Sequence, residues 1–293
     1  MDIIQAQQMT MSYYAMLVPS TILIYDHMAT LTEEIAFIWC RPKALSAVLF
    51  LLNRYVALLG NIYGLIGDFL PTSDESCPTY VLSKQVLVFS QAIIVCLILT
   101  LRTYALYGRS KRLLAFLGII GLAFAGGAAA ETFGSYPSTV TNVPGGCYET
   151  FTADTNIRLG LAWVVLSVYE SLIFVLTVSR IFGIRGFLRL SLTMSRRNII
   201  VVIFQDGALY FGAMTLFNIP NILTYFGGSD IIRGSLSTFT SCMSVTLISR
   251  LMLNLHKSID TGIFSAPTWD DDDALAVLTT RVDVQSTISS HHW

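Results

Sequence analysis

Seven apolar stretches of helical length divide the chain, at about 9–28, 46–66, 81–104, 113–130, 157–182, 198–223 and 231–253, and a polar tail runs over 254–293. A hydrocarbon layer ~30 Å thick needs ~20 consecutive apolar residues in a helix, and each stretch approaches that length. Backbone groups in lipid can be satisfied within a helix, so the pattern predicts an all-α polytopic membrane protein, a seven-transmembrane helix bundle. The first stretch is the least regular, because Pro19 interrupts it. A membrane helix tolerates such a proline where neighbours satisfy the freed carbonyl. The first ten residues hold no Lys or Arg and no clear cleavage site, so this stretch is expected to be a retained signal-anchor helix.

The gaps between stretches orient the bundle. Basic residues crowd into every other gap: Arg41 and Lys43, then Arg102, Arg109, Lys111 and Arg112, then Arg180, Arg185, Arg189, Arg196 and Arg197, then Arg250, Lys257 and Arg281. The alternate side holds only Lys84, Arg158 and Arg233. Lys and Arg are retained on the cytosolic side of short loops, which predicts the N-terminus outside and the C-terminus in the cytosol. An odd number of spans is needed for that result.

The first cytosolic gap carries local structure of its own. Thr30-Leu31-Thr32-Glu33 fits a capping box. Leu31, Ile35, Phe37, Ile38 and Trp39 follow, and Pro42 closes the run. Two readings fit: a short helix lying in the interface with Trp39 at the headgroups, or an extension of the first span by two turns. The second reading would bring Asp26, His27, Glu33 and Glu34 toward lipid, at a cost.

Composition agrees with a bilayer protein. The 293 residues are 54% hydrophobic and 13% charged, against ~25% charged in soluble domains, and mean hydropathy is +0.63. A net charge of −1 speaks against bulk binding of nucleic acid. No span holds a central Lys for a retinal Schiff base, and His27, His256, His291 and His292 form no spaced metal set. No phosphate loop, kinase set, nucleophile elbow or His-Glu-x-x-His occurs. The expectation is a protein that is not an enzyme and has no cofactor. Internal repeats of a transporter type are not evident.

Cys77 and Cys147 fall in outer loops, where disulfides persist, and a Cys77–Cys147 bridge would pin the longest loop over the bundle mouth. Cys96 and Cys242 read as small core residues, and Cys40, near the inner interface, as a palmitoylation candidate. Ionisable residues inside spans are functional candidates. Arg54, Glu170 and Asp206 lie at depths of roughly 12, 18 and 12 Å from the cytosolic ends of their spans, and so could share one layer as an intramembrane polar network. That network is a switch, a proton-linked site, or a static pair that fixes packing. Asn218-Ile219-Pro220-Asn221 in span six, and Ser90 and Gln91 in span three, are candidates for a cavity wall. Gly60 and Gly64, and the glycines Gly118, Gly121, Gly126 and Gly127, suggest close helix approach. The tail, with an acidic run over Asp270 to Asp273 and many Ser and Thr, reads as disordered.

One segment resembles a known family. Tyr25-Asp26-His27-Met28-Ala29-Thr30-Leu31-Thr32-Glu33-Glu34, then Ile38-Trp39, then Leu49-Phe50-Leu51-Leu52-Asn53-Arg54-Tyr55 is similar to the fungal family of domain of unknown function 6533. The likeness covers about 13–60, and Leu101 to Tyr107 and Ser249 to Leu255 also resemble the more C-terminal segments of such proteins. It implies a multi-span fungal membrane protein, with Asp26, Glu33, Glu34 and Arg54 as a defining cytosolic-side constellation. It implies no activity. Residues 1–257 are therefore read as the membrane domain and 258–293 as a cytosolic tail, in the plasma membrane or an endomembrane. The leading functional expectation is an orphan receptor-like sensor. Its basic inner loops, Arg185, Arg189, Arg196 and Arg197 above all, would meet a cytosolic protein partner. A small-solute transporter or channel and a non-catalytic membrane scaffold are the alternatives. Beyond the lipid bilayer and that partner, the ligand is unnamed.

Overall fold

The computed structural model describes residues 3–39, 45–69, 76–133, 138–143, 146–151, 153–188, 195–227 and 233–260, with the side chains of 138–155 and 184–206 and a few near either end left aside. The expected tail begins as helix, since the last helix, Ser237–Asp260, runs into it, and the remainder of it (261–293) and Cys40 fall outside the described residues.

Seven α-helices and one hairpin make up the described chain. They are α1 (Ile3–Glu34), α2 (Leu45–Phe69), α3 (Cys77–Leu106), α4 (Lys111–Phe133), β1 (Ser138–Val143), β2 (Gly146–Phe151), α5 (Ala153–Leu188), α6 (Ser195–Gly227) and α7 (Ser237–Asp260), with a π-helical turn, Ile35–Trp39, closing α1. Four helical stretches, Leu45–Phe69, Cys77–Leu106, Lys111–Phe133 and Asn156–Gly183, are long and apolar enough to cross a membrane. They mark the chain as membrane-embedded.

Burial runs inside out relative to a soluble bundle. On α4 only Leu117 is buried, while Ile119 and Leu122 are 70% and 76% exposed. An apolar helix that offers its side chains outward needs lipid around it. The interior, by contrast, holds Asp26, Glu34, Asn53, Arg54, Gln91, Glu170, Asn218 and Asn221. Sequence neighbours pack in turn, α2 on α3, α3 on α4, α4 on α5, α5 on α6 and α6 on α7. α7 then returns to α1 and closes the ring, and α3 also reaches α5 and α7. Phe50, Ile98, Leu99, Leu117, Ile173 and Ile248 form the apolar core that joins these helices. Asp68 and Glu34 mark the two ends of the bundle.

Three expectations change here. The interfacial helix with Thr30 as its cap does not form. α1 is continuous to Glu34, and the Thr30 hydroxyl donates to the Asp26 carbonyl one turn back, 2.6 Å. Helix extension prevails because the charged residues it carries find partners. Second, the long loop after α4 is an antiparallel hairpin, with Ser138 opposite Phe151 and Val143 opposite Gly146. β2 rests beside α2, α3 and α5, and Arg158 on α5 lies 3.6 Å from Glu131 on α4 at the feet of the hairpin. Third, Gly60 and Gly64 are not the tightest approach of α2 to α3. A Cβ on Gly60 would meet Leu87 at 3.8 Å, whereas one on Gly67 would lie 2.1 Å from the Tyr80 ring.

Candidate functional site: an ionic cluster and a cavity

The last turns of α1 place Asp26, Thr30 and Glu34 four residues apart, one above another on one face. Arg54 reaches that face from α2. Its Nε lies 2.9 Å from Glu34 Oε2, with both side chains almost fully buried. Its Nη2 donates to the His27 carbonyl at 2.6 Å and to Thr30 Oγ1 at 2.7 Å. The single Nε–H is directed at His27 Nδ1, 2.7 Å, so the contact with Glu34 Oε2 is an ion pair without a hydrogen bond, and that oxygen has no other donor. An accepting Nδ1 assigns the His27 proton to Nε2. Glu34 Oε1 takes two donors, Trp39 Nε1 and Tyr55 Oη, each at 3.0 Å. The Phe50 ring lies under the guanidinium, 5.6 Å away.

The third helix of the cluster is α7. Arg250 Nε donates to Asp26 Oδ1 at 2.5 Å, and Lys257 Nζ to Glu33 Oε1 at 2.9 Å. Asp26 and Glu33 are seven residues apart, as are Arg250 and Lys257. Seven residues are two helical turns, so two helices running side by side in the same direction bring both pairs together. Asp26, Glu33, Glu34 and Arg54 thus gather in one constellation. Arg250 and Lys257 join it as partners, although in the sequence they speak only to orientation. Lys257 and Glu33 are half-exposed, 52% and 39%. Exposed pairs contribute only ~0.2–1 kcal/mol. Lys257→Gln is therefore expected to melt within about 1 kcal/mol of the parent protein in thermal denaturation. A larger loss would mean that this pair is shielded from solvent.

Of the three residues expected to share one layer, Arg54 and Glu170 take different partners. Arg54 faces α1 and pairs with Glu34. Glu170 on α5 faces α6 and accepts from Asn218 Nδ2 at 2.6 Å. Depth along a helix is legible in a sequence, but the face and the neighbour are not. The Asp206 side chain falls outside the described residues, as do those of Arg185, Arg189, Arg196 and Arg197. Gln91 lines a small pocket with Ser20 and Asn61 and also bridges helices: its Nε2 donates to Asn53 Oδ1 at 2.7 Å, and Asn53 donates on to Ser249 Oγ at 3.3 Å. Cys96 and Cys242 are free, whereas Cys77 is disulfide-bonded; the side chain of Cys147, its expected partner, lies outside the described residues.

Toward the Asp68 end a cavity of about 680 Å³ opens between α3, α4, α5 and the turn before α7. That size lies within the ~300–1,000 Å³ of small-molecule sites. Asp68, Lys84 and Arg233 stand at its rim, and Thr100, Leu117 and Tyr169 at its floor. Lys84 Nζ pairs with Asp68 Oδ2 at 2.7 Å, and Tyr80 Oη donates to Asp68 Oδ1 at 3.0 Å. The floor is closed by Thr100 Oγ1 and Tyr169 Oη, 2.7 Å apart. Gly118, Gly121, Ala125 and Ala128 of α4 line one side. The α4 glycines, expected as packing positions, mostly leave room: a Cβ on Gly118, Gly126 or Gly127 would meet nothing within 4 Å, and only one on Gly121 would approach the Tyr169 hydroxyl, at 3.1 Å. Among the described residues no metal-binding group of His, Cys, Asp and Glu occurs.

Residues 14–59 match the family model described as Family of unknown function (DUF6533), and this segment carries that domain. The match contains Asp26, Glu33, Glu34 and Arg54, so the α1–α2 half of the ionic cluster is the domain's own contribution. No curated protein matches the chain.

Proposed function

We propose that this chain is a receptor-like sensor of seven spans, with the start of α1 outside the membrane and the end of α7 in the cytosol. The cavity receives a ligand from the outer side or from lipid, and the Glu34 end presents basic loops to a cytosolic protein. The observation that carries this reading is the separation of the two sites: a roomy cavity toward the Asp68 end, and a charged cluster knitting α1, α2 and α7 at the other. Arg109, between α3 and α4, and Lys111 and Arg112, in the first turn of α4, lie at the same end as Arg250 and Lys257, which supports a cytosolic assignment for that end. A ligand that wedges α3 from α4 would act on a helix that also reaches α7, and α7 is held to α1 by the Arg250–Asp26 pair. In this reading the chain does no chemistry. The transport alternative would use Arg54, Glu170 and Asp206, and the first two of these have different partners.

The test is affinity capture of cytosolic partners from native membranes. The partner retained by the wild type should fall several-fold on Arg196→Gln/Arg197→Gln, at unchanged expression and melting temperature. Equal retention by both proteins would remove the cytosolic arm of the proposal. Tags at both termini should be accessible from opposite sides of the membrane.

A further inference from the structure

We propose that the contact between α5 and α6 holds a small monovalent cation, sodium in chemical class, bound by the Glu170 carboxylate and the side-chain oxygens of Asn218 and Asn221. These residues belong neither to the cavity lining nor to the ionic cluster, and the site stands whether or not the chain is a sensor.

A missing counter-charge comes first. Glu170 is 5% exposed and sits near the middle of the apolar stretch Asn156–Gly183. Its partner is a neutral amide: Asn218 Nδ2 donates to Oε2 at 2.6 Å. Asp26, Glu34 and Asp68 each face an Arg or Lys, whereas among the described residues no cation pairs with Glu170. A lone carboxylate at this depth is costly, so its charge has to be cancelled by something taken up from solution.

The amides decide between a proton and a metal ion. Asn218 is 1% exposed, and its Oδ1, on the other branch of the amide that reaches Glu170, has no hydrogen-bond partner. Asn221 is 0% exposed, and neither its Oδ1 nor its Nδ2 has one. The two residues are three apart on α6 and therefore share a face. Buried polar atoms without partners are rare, because each has given up its hydration for nothing. A proton on Glu170 would cancel the charge but supply a single O–H, enough for one of the two amide oxygens. A cation cancels the charge and draws on both oxygens together with the carboxylate. A water in the ion's shell then accepts from Asn221 Nδ2.

The donor set fixes the class of ion. Carboxylate and amide oxygens are hard ligands, which favours alkali and alkaline-earth ions over zinc or copper. One carboxylate balances one charge, and a divalent ion would keep a net positive charge among apolar helices. One turn toward the Glu34 end, Ile173 and Met214 belong to the apolar core and are fully buried. They close the site on that side, which suits a bare ion rather than an organic cation.

The experiment uses the full chain in an uncharged detergent, with sodium chloride exchanged stepwise for N-methylglucamine chloride at constant ionic strength. The melting temperature should rise with sodium concentration, as for any ligand that binds the folded state alone. Radiolabelled sodium should be retained by the parent protein. Glu170→Gln keeps the side-chain shape and removes the charge. It should melt at one temperature whatever the sodium concentration, and it should retain no sodium. Asn221→Leu, close in shape but without the amide, should raise the sodium Kd about tenfold or more, the scale of a lost contact with a charged group. A parent protein indifferent to sodium would mean that a proton neutralises Glu170, and would overturn the proposal. A sodium response that survives in Glu170→Gln would overturn it as well, as would stabilisation by calcium at lower concentrations than sodium. An unchanged Kd in Asn221→Leu would remove the amide arm on which the choice of a metal ion over a proton rests. Capture of the cytosolic partner tests the sensor reading separately from all of these results.

Discussion

Replacing Arg54 by methionine is expected to destabilise the bundle by about 3–5 kcal/mol, the range for stripping one partner from a buried ion pair. Arg54 and Glu34 side chains are 3% and 0% exposed, so nothing in solvent can take the place of the guanidinium. Glu34 would keep its two donors, Trp39 Nε1 and Tyr55 Oη, which places the loss toward the lower end of that range. The His27 carbonyl and Thr30 hydroxyl would lose their donor as well. The double variant Arg54→Met/Glu34→Gln removes the uncompensated charge and is expected to be more stable than Arg54→Met alone. Melting of the detergent-solubilised protein reads all three. If Arg54→Met cost no more than Lys257→Gln, the pair would not be desolvated, and the role of Arg54 in holding α1 to α2 would have to be abandoned.

That contrast between Arg54 and Lys257 also shows what a sequence carries and what it withholds. Hydrophobic patterning dictates the helical class, because lipid leaves few other solutions for an apolar stretch of this length. The depth of Arg54 in α2 is legible for the same reason. Its partner is not, since equal depth in several helices says nothing of which helix stands opposite. A signal for the α1–α7 pairs does exist: acids at 26 and 33 and bases at 250 and 257 share a seven-residue spacing. The end of α1 misleads for a physical reason. Thr30 and Glu33 have the spacing of a cap, but a Thr hydroxyl can equally bond back to the preceding turn, and here it does. The hairpin is also signalled. Thr139, Val140, Thr141 and Val143 are β-branched, and Pro144-Gly145-Gly146 has the composition of a turn before Tyr148, Thr150 and Phe151. These residues belong to no apolar run, so hydrophobic patterning alone does not mark them. The α4 glycines are visible as small residues, yet the same residues serve to close a helix pair or to leave a cavity, and only the neighbour's position decides between them.

Alanine at Gly67 is expected to cost at least as much as an overpacked core position, about 1–3 kcal/mol. The added Cβ would lie 2.1 Å from Tyr80 Cε2 and 2.4 Å from Cζ. The ring cannot turn aside freely, because its hydroxyl is held by the Gly64 carbonyl at 2.8 Å and by Asp68 at 3.0 Å. Displacing it breaks both bonds and leaves a buried carboxylate oxygen short of a donor, adding about 1 kcal/mol or more. Tyr80 stands in the first turn of α3 and also lines the cavity rim, so the same substitution should weaken binding of a ligand there. Two further variants separate the clash from other causes. Gly126→Ala, with nothing within 4 Å of the new methyl, should be neutral or more stable by up to about 1 kcal/mol through the helix preference of alanine over glycine. In Gly67→Ala/Tyr80→Leu the clash is relieved, so the combined loss should be smaller than the sum of the single losses, as for residues in contact. Tyr80→Phe in place of Tyr80→Leu removes only the hydroxyl and leaves the ring carbons where the methyl would strike, so it should not rescue Gly67→Ala. Strict additivity with leucine, or equal losses for Gly67→Ala and Gly126→Ala, would show that the Tyr80 ring does not rest on Gly67 and would detach the cavity rim from the α2–α3 contact that positions it.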